Sequence, residues 1–556
     1  MHRPSPLLAA LAVAVVAVAA SMLCLANQFT FDDAGLILGS ERLHGLARWK
    51  EILTSPYWPP PYAQDLYRPL TSLMLALQYQ LGGGDPVLFR VVSVLLYSGA
   101  SLAVLHLAWR LLPPAIALGT ALLFAAHPVH VETTVLAVAQ GELVIALLGT
   151  LMVARYLDRR RAAAGTLSPR DWLLLGGLYL IACFTKEQGL LLPALLVAAE
   201  LCLVGAPSWS DRIRRTWAGY AGFALLAGLV LFIRGLVLRG KPFLAAPAEA
   251  LVGVPIEGRA LTMLQVVPEW FRLLVWPAHL RLDYSPGEFV ASTGWGVAEI
   301  AGLILVIGAI AIAWIARRRA PVVSFGLVWC AITLFPVSNL IAPTGILLAE
   351  RTLFSPSIGF LLAAGGAIHW LLALPRPASV GLRPALLLAG LGLVALGTVR
   401  SASRQKVFRN QATLNVASAK DAPRSARVQQ SLAETLFDQG DRAEAVAAYR
   451  RAISYGGEPW MLRIGLARRL RMLGDEEGAM EELRESLAEH PTREALAELA
   501  AAFLAVGMYR EAGRIAEGII ASDNAPPVMV WIKHLADSAI AVKAPPGSIK
   551  IGIKSP

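Results

Sequence analysis

Charged residues are scarce in this 556-residue chain: they make up 16% of it, against 56% hydrophobic residues. Soluble globular proteins carry about 25% charged residues, so the composition excludes an ordinary soluble enzyme. The high apolar content also excludes an intrinsically disordered chain. There are only four cysteines, and all lie inside apolar runs without the spacing of a metal site: Cys24, Cys183, Cys202 and Cys330. Disulfides and a cysteine metal site are therefore not expected.

The chain also lacks a nucleotide-binding loop and any basic patch interleaved with aromatic residues. Its net charge of +11 therefore does not indicate a nucleic-acid partner. In an apolar chain, basic residues more often hold loops on one side of a membrane.

Long hydrophobic runs dominate the sequence up to about residue 400. A spanning helix needs roughly 20 apolar residues, and about eleven candidates are present. They are 7–26, 86–111, 115–126, 134–154, 172–184, 189–205, 217–237, 293–315, 321–337, 353–374 and 384–399. A cleaved signal peptide is the alternative for the first run, but no small-x-small cleavage motif follows it.

Arginine-rich loops predict the orientation of these spans. Clusters lie at 155–170, 212–215 and 317–319, and all three fall on one side if every candidate crosses the membrane. The positive-inside rule makes that side cytoplasmic. The loop 27–85 and everything beyond residue 400 then lie on the outer side, most simply the periplasm of a bacterial inner membrane. An endoplasmic reticulum membrane with a lumenal site is the alternative.

After residue 400 the composition becomes rich in Ala, Glu, Arg and Leu, with an internal repeat. Gly440, Gly474 and Gly507 are spaced by 34 and 33 residues, each preceded by an alanine seven residues earlier and followed by one five residues later. This period is typical of tetratricopeptide repeats, and ordinary helical hairpins are the alternative. We predict a membrane domain over 1–410, an α-solenoid of these repeats over 411–526, and a tail over 527–556.

Charged residues within the membrane domain are the candidate functional groups, because burying charge in a bilayer is costly. Asp32 and Asp33 follow the first span and are interpreted either as a general base or as a helix cap. His127, His130 and Glu132, with Glu142 nearby, either hold a divalent metal or form a hydrogen-bonded cluster.

Two further charged pairs interrupt apolar sequence. Lys186 and Glu187 either neutralise each other or present the lysine to an anion. Glu350 and Arg351 precede a later span, where the arginine suits a phosphate because its guanidinium offers a fork of donors. The predicted topology puts all of these groups on the outer face.

Several motifs occur in an order that resembles one family. They are FDDAGLI, YRPL, HPVHVE with the following GE, TKEQG, RLLVWPAHLRLDYSP and AERTLFSPSIGF. The chain resembles the transmembrane and tetratricopeptide-repeat-containing O-mannosyltransferases and their bacterial relatives, from residue 28 to about 525. These belong to the GT-C superfamily of lipid-phosphosugar-dependent glycosyltransferases.

The resemblance implies an inverting glycosyltransferase that moves a sugar, mannose or another hexose, from a polyprenyl- or dolichyl-phosphate donor to an acceptor hydroxyl such as protein Ser or Thr. It implies Asp32 or Asp33 as base, and Lys186, Arg351 and Arg68 at the donor phosphate. The supporting polar residues are His127, His130, Glu132, Glu142, Glu187 and Glu350. No cofactor is assigned, and a divalent metal is the one candidate. The competing hypothesis is a non-catalytic membrane scaffold whose repeats recruit extracytoplasmic proteins.

Overall fold

The structure, a computed structural model, describes residues 5–546 and 548 except 61, 163–164, 206–207, 241–247, 285–286, 342, 375–378, 457 and 522–525, and the side chains of 379–383 also lie outside this set. Its described part is mostly α-helix and contains no strand, which confirms the all-α prediction. The chain divides into two units, 1–282 with 291–417 and 283–290 with 418–556. Within the predicted tail over 527–556, residues 547 and 549–556 lie outside the described residues.

The helices of the first unit carry the apolar runs. They are α1 (Pro6–Ser21), α2 (Trp49–Thr54), α3 (Pro69–Gly82), α4 (Pro86–Leu111), α5 (Pro114–Ala126), α6 (Val131–Val135), α7 (Gln140–Arg160), α8 (Pro169–Thr185), α9 (Leu192–Leu203), α10 (Trp209–Val237), α11 (Ile256–Val275), α12 (Val297–Arg319), α13 (Pro321–Leu334), α14 (Phe354–Ala373), α15 (Ser379–Gln405) and α16 (Gln411–Asp421), the last running past the unit boundary.

Local sequence signals explain where several of these helices begin. Proline occupies the first turn of α1, α3, α4, α5, α8 and α13, where its missing N–H costs nothing. At α8, the Ser168 hydroxyl accepts from the Asp171 N–H while the Asp171 carboxylate accepts from the Ser168 N–H. This reciprocal capping box satisfies donors that the helix itself cannot.

Seven helical segments are long and apolar enough to cross a membrane, or eight with the bent pair Pro114–Ala126 and Pro128–Val135, among the described residues. They are Pro6–Ala26, Pro86–Leu111, Ala137–Arg160, Trp209–Val237, Val297–Arg319, Glu350–Ala373 and Pro384–Phe408. The chain is thus a multi-pass membrane protein. The count is lower than the eleven predicted because α5, α8, α9 and α13 have only 13, 17, 12 and 14 residues.

The core of the first unit is apolar and tightly packed around α4, α5, α7 and α14. Tyr97, Phe124, Met152 and Phe354 are each at most 2% exposed there. Helices α13 and α14 pack through glycine, since a Cβ on Gly326 would collide with the Gly359 carbonyl oxygen. Small residues allow this close approach of helix backbones.

The second unit consists of consecutive helices that pack on their neighbours. They are α17 (Ala426–Gln439), α18 (Arg442–Ser454), α19 (Pro459–Met472), α20 (Glu476–Glu489), α21 (Arg493–Val506), α22 (Tyr509–Ile520) and α23 (Pro527–Ala541). The repeat residues Ala433, Ala467 and Ala500 are all completely buried. Gly440, Gly474 and Gly507 lie just beyond α17, α19 and α21 with φ of +92°, +83° and +87°, a conformation that favours glycine. A solenoid of tetratricopeptide repeats stays a prediction.

Candidate active site

Asp33 is a completely buried carboxylate whose two oxygens are occupied. Its Oδ2 accepts from Arg90 Nη1 at 2.8 Å and from the Ala137 N–H at 3.0 Å. Its Oδ1 accepts from the Val138 N–H at 2.9 Å. Both partners of the Arg90–Asp33 pair have 0% side-chain exposure. Asp33 therefore ties the segment after α1 to α4 and to the segment before α7.

Asp32 has a different environment from its neighbour. Its side chain is 26% exposed, and its Oδ2 lies 3.5 Å from Arg351 Nη2. The preceding residue, Phe31, has φ of +53°, and its N–H donates to Gln411 Oε1 at 2.8 Å. A bulky residue with positive φ is strained. This backbone turn directs the two adjacent aspartates into different surroundings.

Arg351 joins Asp32 to a second carboxylate. It lies in a 3-10 turn, Glu350–Leu353, directly before α14. Its guanidinium also pairs with Glu132 of α6, whose other oxygen accepts from the Arg351 N–H at 2.9 Å. Glu132 is only 2% exposed. Arg351 is thus held by one buried and one partly exposed carboxylate.

Lys186 and Arg68 complete the cations of this cluster. Lys186, at the end of α8, pairs with Glu142 in the first turn of α7. Arg68, before α3, binds Glu187 through Nε at 3.0 Å and Nη2 at 2.9 Å. Glu142 also interacts electrostatically with Arg68 and Arg351. The structure therefore brings the paired charged motifs and the acidic motif together.

Burial and pairing shift the pKa values of these groups. Burial lowers the pKa of Lys186, and the charge of Glu142 only partly offsets this. Burial alone would raise the pKa of Glu187, but Arg68 outweighs it, so this pKa lies below its ordinary value. Across the cluster, Asp32, Glu132, Glu142 and Glu187 face three cations. Each of these carboxylates therefore lies against a cation of the cluster.

A small cavity of about 20 Å³ lies beside Glu142 of this cluster. Its polar end has Glu142, Gln188, Thr352 and Ser355. Its remaining lining is almost entirely apolar: Ile145, Ala146, Gly149, Leu191, Leu192, Leu195 and Trp329, with Thr333. A Cβ on Gly149 would lie 2.8 Å from Leu192 Cδ2. The cavity thus joins polar and apolar surfaces, and its volume is about that needed by one water molecule.

The two histidines and Glu350 are engaged in other contacts. His130 pairs with Ser357 Oγ at 2.8 Å and Tyr97 Oη at 3.1 Å. His127 Nε2 lies 3.0 Å from the Leu274 carbonyl oxygen. Glu350 accepts from the Arg281 N–H at 2.5 Å. Within the described ranges, no group of three His, Cys, Asp or Glu side chains is arranged to hold a metal ion.

A second ionic cluster lies at the opposite end of α7. Arg160 Nη2 binds Glu200 Oε1 at 2.6 Å, and Arg212 Nη1 approaches the same oxygen at 3.2 Å. Glu142 and Arg160 are 18 residues apart on α7. At 1.5 Å per residue this is about 27 Å, close to the thickness of a bilayer core. The two clusters are thus separated along α7 by about the thickness of a bilayer core.

Sequence reasoning missed two contributors to the site. Arg90 lies inside a long apolar run, and a charge there is itself a signal. Tyr57 lies in a segment rich in aromatic residues, and it is 1% exposed, whereas Trp49 and Tyr62 of the same segment are 49% and 50% exposed. The sequence of such a segment does not show which of its aromatic residues are buried and which are exposed.

Curated proteins similar to this chain share one name. Protein O-mannosyl-transferase TMTC4 of Mus musculus is 27% identical over 488 residues, covering 77% of this chain and 64% of that protein. The Homo sapiens TMTC4 is 26% identical, covering 80% and 66%. Homo sapiens TMTC1 is 25% identical, covering 80% and 55%. The chain thus spans about two-thirds or less of these relatives' lengths.

No protein-family model and no solved structure matches the chain. The similarity to the curated relatives nevertheless extends over most of its length, at 24–27% identity. The chain is accordingly a homologue of the TMTC protein O-mannosyl-transferases.

Proposed function

We propose that this protein is an integral-membrane glycosyltransferase of GT-C type. It moves a sugar, mannose or another hexose, from a polyprenyl- or dolichyl-phosphate donor to a hydroxyl group of an acceptor protein. The names of its relatives support protein O-mannosyl transfer. The observation that carries the proposal is Asp32, a partly exposed carboxylate 3.5 Å from Arg351, which is one of three cations with side chains 14–15% exposed.

Asp32 acts as the general base. It takes the proton of the acceptor hydroxyl while the hydroxyl oxygen forms a bond to the anomeric carbon of the sugar. The bond from that carbon to the phosphate oxygen breaks, and its electron pair leaves with the lipid phosphate. Direct displacement inverts the anomeric configuration. Asp33 does not serve as base, because both of its oxygens are occupied in a buried ion pair.

The cations stabilise the negative charge that develops on the leaving phosphate. Lys186, Arg351 and Arg68 are each held by a carboxylate in the described structure. A bound phosphate competes with these carboxylates for Lys186 and Arg351. As it draws Arg351 away from Asp32, it leaves Asp32 a better base. Such contacts are stronger in a partly dehydrated site than in water.

A cavity of about 20 Å³ beside Glu142 lies at the proposed entry of the donor lipid and must widen to admit it. Its polar end adjoins the partner of Lys186, and its apolar walls suit an isoprenoid chain. The second ionic cluster supports the orientation, since Arg155, Arg159, Arg160 and Arg212 all lie at that opposite end. By the positive-inside rule that end is cytoplasmic, which puts the site and the acceptor on the outer side. The repeats would hold the acceptor protein.

The proposal is tested by reconstituting the purified full chain in lipid nanodiscs with polyprenyl-phosphate [³H]mannose and a Ser/Thr-rich peptide. We expect label in the peptide with the wild type, and a fall of at least about 100-fold with Asp32→Asn. The control is Asp158→Asn, in the ion pair with Arg110 outside the cluster, with transfer as in the wild type. A non-catalytic scaffold would label no peptide while still binding it.

A further inference from the structure

Tyr57 is a buried residue whose backbone is fixed from two sides. It lies in the segment between α2 and α3 and is 1% exposed. Its N–H donates to the Leu66 carbonyl at 2.7 Å, and its own carbonyl accepts from Arg42 Nη2 at 2.7 Å. The position of its side chain is therefore set by the fold.

The Tyr57 side chain contacts both an apolar cluster and the charged site. It belongs to a core group with Phe29, Leu36 and Ile52. The guanidinium carbon of Arg68 lies 4.9 Å from the ring centroid, within the range of a cation–π contact. Arg68 is the residue that binds Glu187 in the candidate active site. Tyr57 is thus in direct contact with a cation of that site.

The hydroxyl of Tyr57 has no hydrogen-bond partner among the residues that the structure describes. Buried polar groups are nearly always paired, and an unpaired one destabilises the folded protein. The charged groups that act on it are Arg68, Asp32, Asp33 and Glu187. Burial raises the pKa of Tyr57 well above its ordinary value, so the phenol keeps its proton at neutral pH and remains a donor.

Packing does not account for this hydroxyl. A phenylalanine would preserve the apolar contacts and the cation–π contact with Arg68, and it would remove the cost of an unpaired polar atom. The neighbouring Tyr67 shows the contrast, because its hydroxyl donates to the Leu53 carbonyl at 2.7 Å. A buried polar atom that lowers the stability of the fold points to a partner that arrives with the substrate.

We propose that Tyr57 Oη donates a hydrogen bond to an oxygen of the bound phosphosugar and so positions the donor beside Asp32. The inference rests on the proposed function, and it adds a residue that neither the sequence motifs nor the charged pairs contain. The phosphate and the sugar both offer acceptor oxygens, and the two are separated by the choice of lipid below.

The test is Tyr57→Phe in the full chain, with the unfolding temperature measured in detergent with and without lipid. Two probes are used, polyprenyl phosphate and polyprenyl-phosphate mannose. Without lipid, we expect the variant to unfold at the same temperature as the wild type or higher. With lipid, we expect a smaller stabilisation than in the wild type, and a fall of about 3- to 100-fold in kcat/KM for the donor. If the variant is stabilised less by both lipids, the hydrogen-bond acceptor is a phosphate oxygen. If it is stabilised less only by the mannosyl lipid, the acceptor is an oxygen of the sugar.

Tyr67→Phe is the matched control, since it removes a hydroxyl that has a partner. It is expected to lower the unfolding temperature and to leave the donor kcat/KM unchanged. The inference is overturned if Tyr57→Phe binds both lipids and transfers sugar as the wild type does, or if it unfolds at a lower temperature without lipid. If neither lipid stabilises the wild type and no sugar is transferred, the proposed function itself fails, and the inference falls with it.

Discussion

Arg90 and Asp33 form an ion pair that is entirely removed from solvent, with Nη1 and Oδ2 2.8 Å apart and both side chains 0% exposed. Such a pair adds little net stability when intact, because each charge has lost its hydration. Breaking it is costly, because the remaining charge stays buried alone. The acidic motif therefore contains one structural and one partly exposed aspartate.

Asp33→Asn is expected to lower the free energy of unfolding by about 3–5 kcal/mol, because Arg90 would be left without its counter-charge. The asparagine amide would also face one of two backbone donors, the N–H groups of Ala137 and Val138. Asp32→Asn is expected to unfold like the wild type. Thermal unfolding of both variants in detergent measures the difference.

A double variant supplies the control for this prediction. Arg90→Met combined with Asp33→Asn removes both charges, so it should recover part of the stability lost in Asp33→Asn. Equal unfolding temperatures for Asp32→Asn and Asp33→Asn would show that the two aspartates do not have separate roles.

Arg351→Gln is expected to raise the KM for the lipid-phosphate donor and to lower kcat, each by about tenfold or more, because the site loses a cation that contacts Asp32 and Glu132. Steady-state transfer assays in nanodiscs measure both constants. Arg110→Gln is the matched control, since Arg110 binds Asp158 through two hydrogen bonds of 2.7 and 2.8 Å. Loss of transfer in both variants would indicate a general effect of removing an arginine.

The charged motifs of the candidate site could be predicted from the sequence, whereas the ion pairs that they form could not. Each charged motif was visible because it interrupts an apolar run, and each lies at a helix end: Glu142 in the first turn of α7, Lys186 at the end of α8 and Arg351 before α14. Helix ends can be read locally from prolines and capping residues. The all-helical fold and the chain's membrane character follow from the same apolar runs.

The pairings within the site could not be read from the sequence, because they join distant positions. Asp32 and Asp33 are neighbours, yet their partners Arg351 and Arg90 lie 319 and 57 residues away. The local sequence does not distinguish the two adjacent aspartates. Their different surroundings follow the strained backbone conformation of the preceding residue, Phe31. The span count differed for a similar reason, since a short apolar helix such as α9 resembles a full span in composition.

Acidification is expected to destabilise the protein through Glu187. Its pKa is lowered in the folded state, where Arg68 outweighs the opposing effect of burial and Lys186 adds a smaller favourable charge. The unfolded chain then binds more protons below about pH 4.3, the ordinary value for glutamate. Stability is therefore fully present above this pH and is lost as the pH falls through the folded-state pKa.

Glu187→Gln tests this pH dependence. The variant should unfold at a lower temperature than the wild type at pH 7, because Arg68 loses its charged partner, and its unfolding temperature should change less on acidification. Unfolding is measured from about pH 7 to about pH 3 in detergent, a range that brackets the ordinary glutamate pKa. Glu481→Gln, on an exposed position of α20, should follow the wild-type curve. The assignment to Glu187 would be wrong if its variant kept the wild-type acid dependence.

Replacing either of two glycines of the second unit with alanine is expected to change the stability of the protein, in opposite directions. Gly440 ends α17 with φ of +92°, and a Cβ added there would meet no atom within 4 Å, so Gly440→Ala costs about 1–2 kcal/mol through backbone strain alone. Gly518 lies within α22 with equally open space and no positive φ, so Gly518→Ala should stabilise by about 0.5–1 kcal/mol. Native-state hydrogen exchange of α17, α18 and α22 in the full chain measures both changes. If both variants lost protection from hydrogen exchange, the prediction would be wrong. Steric crowding by the added methyl group, and not the backbone conformation, would then determine the loss of stability.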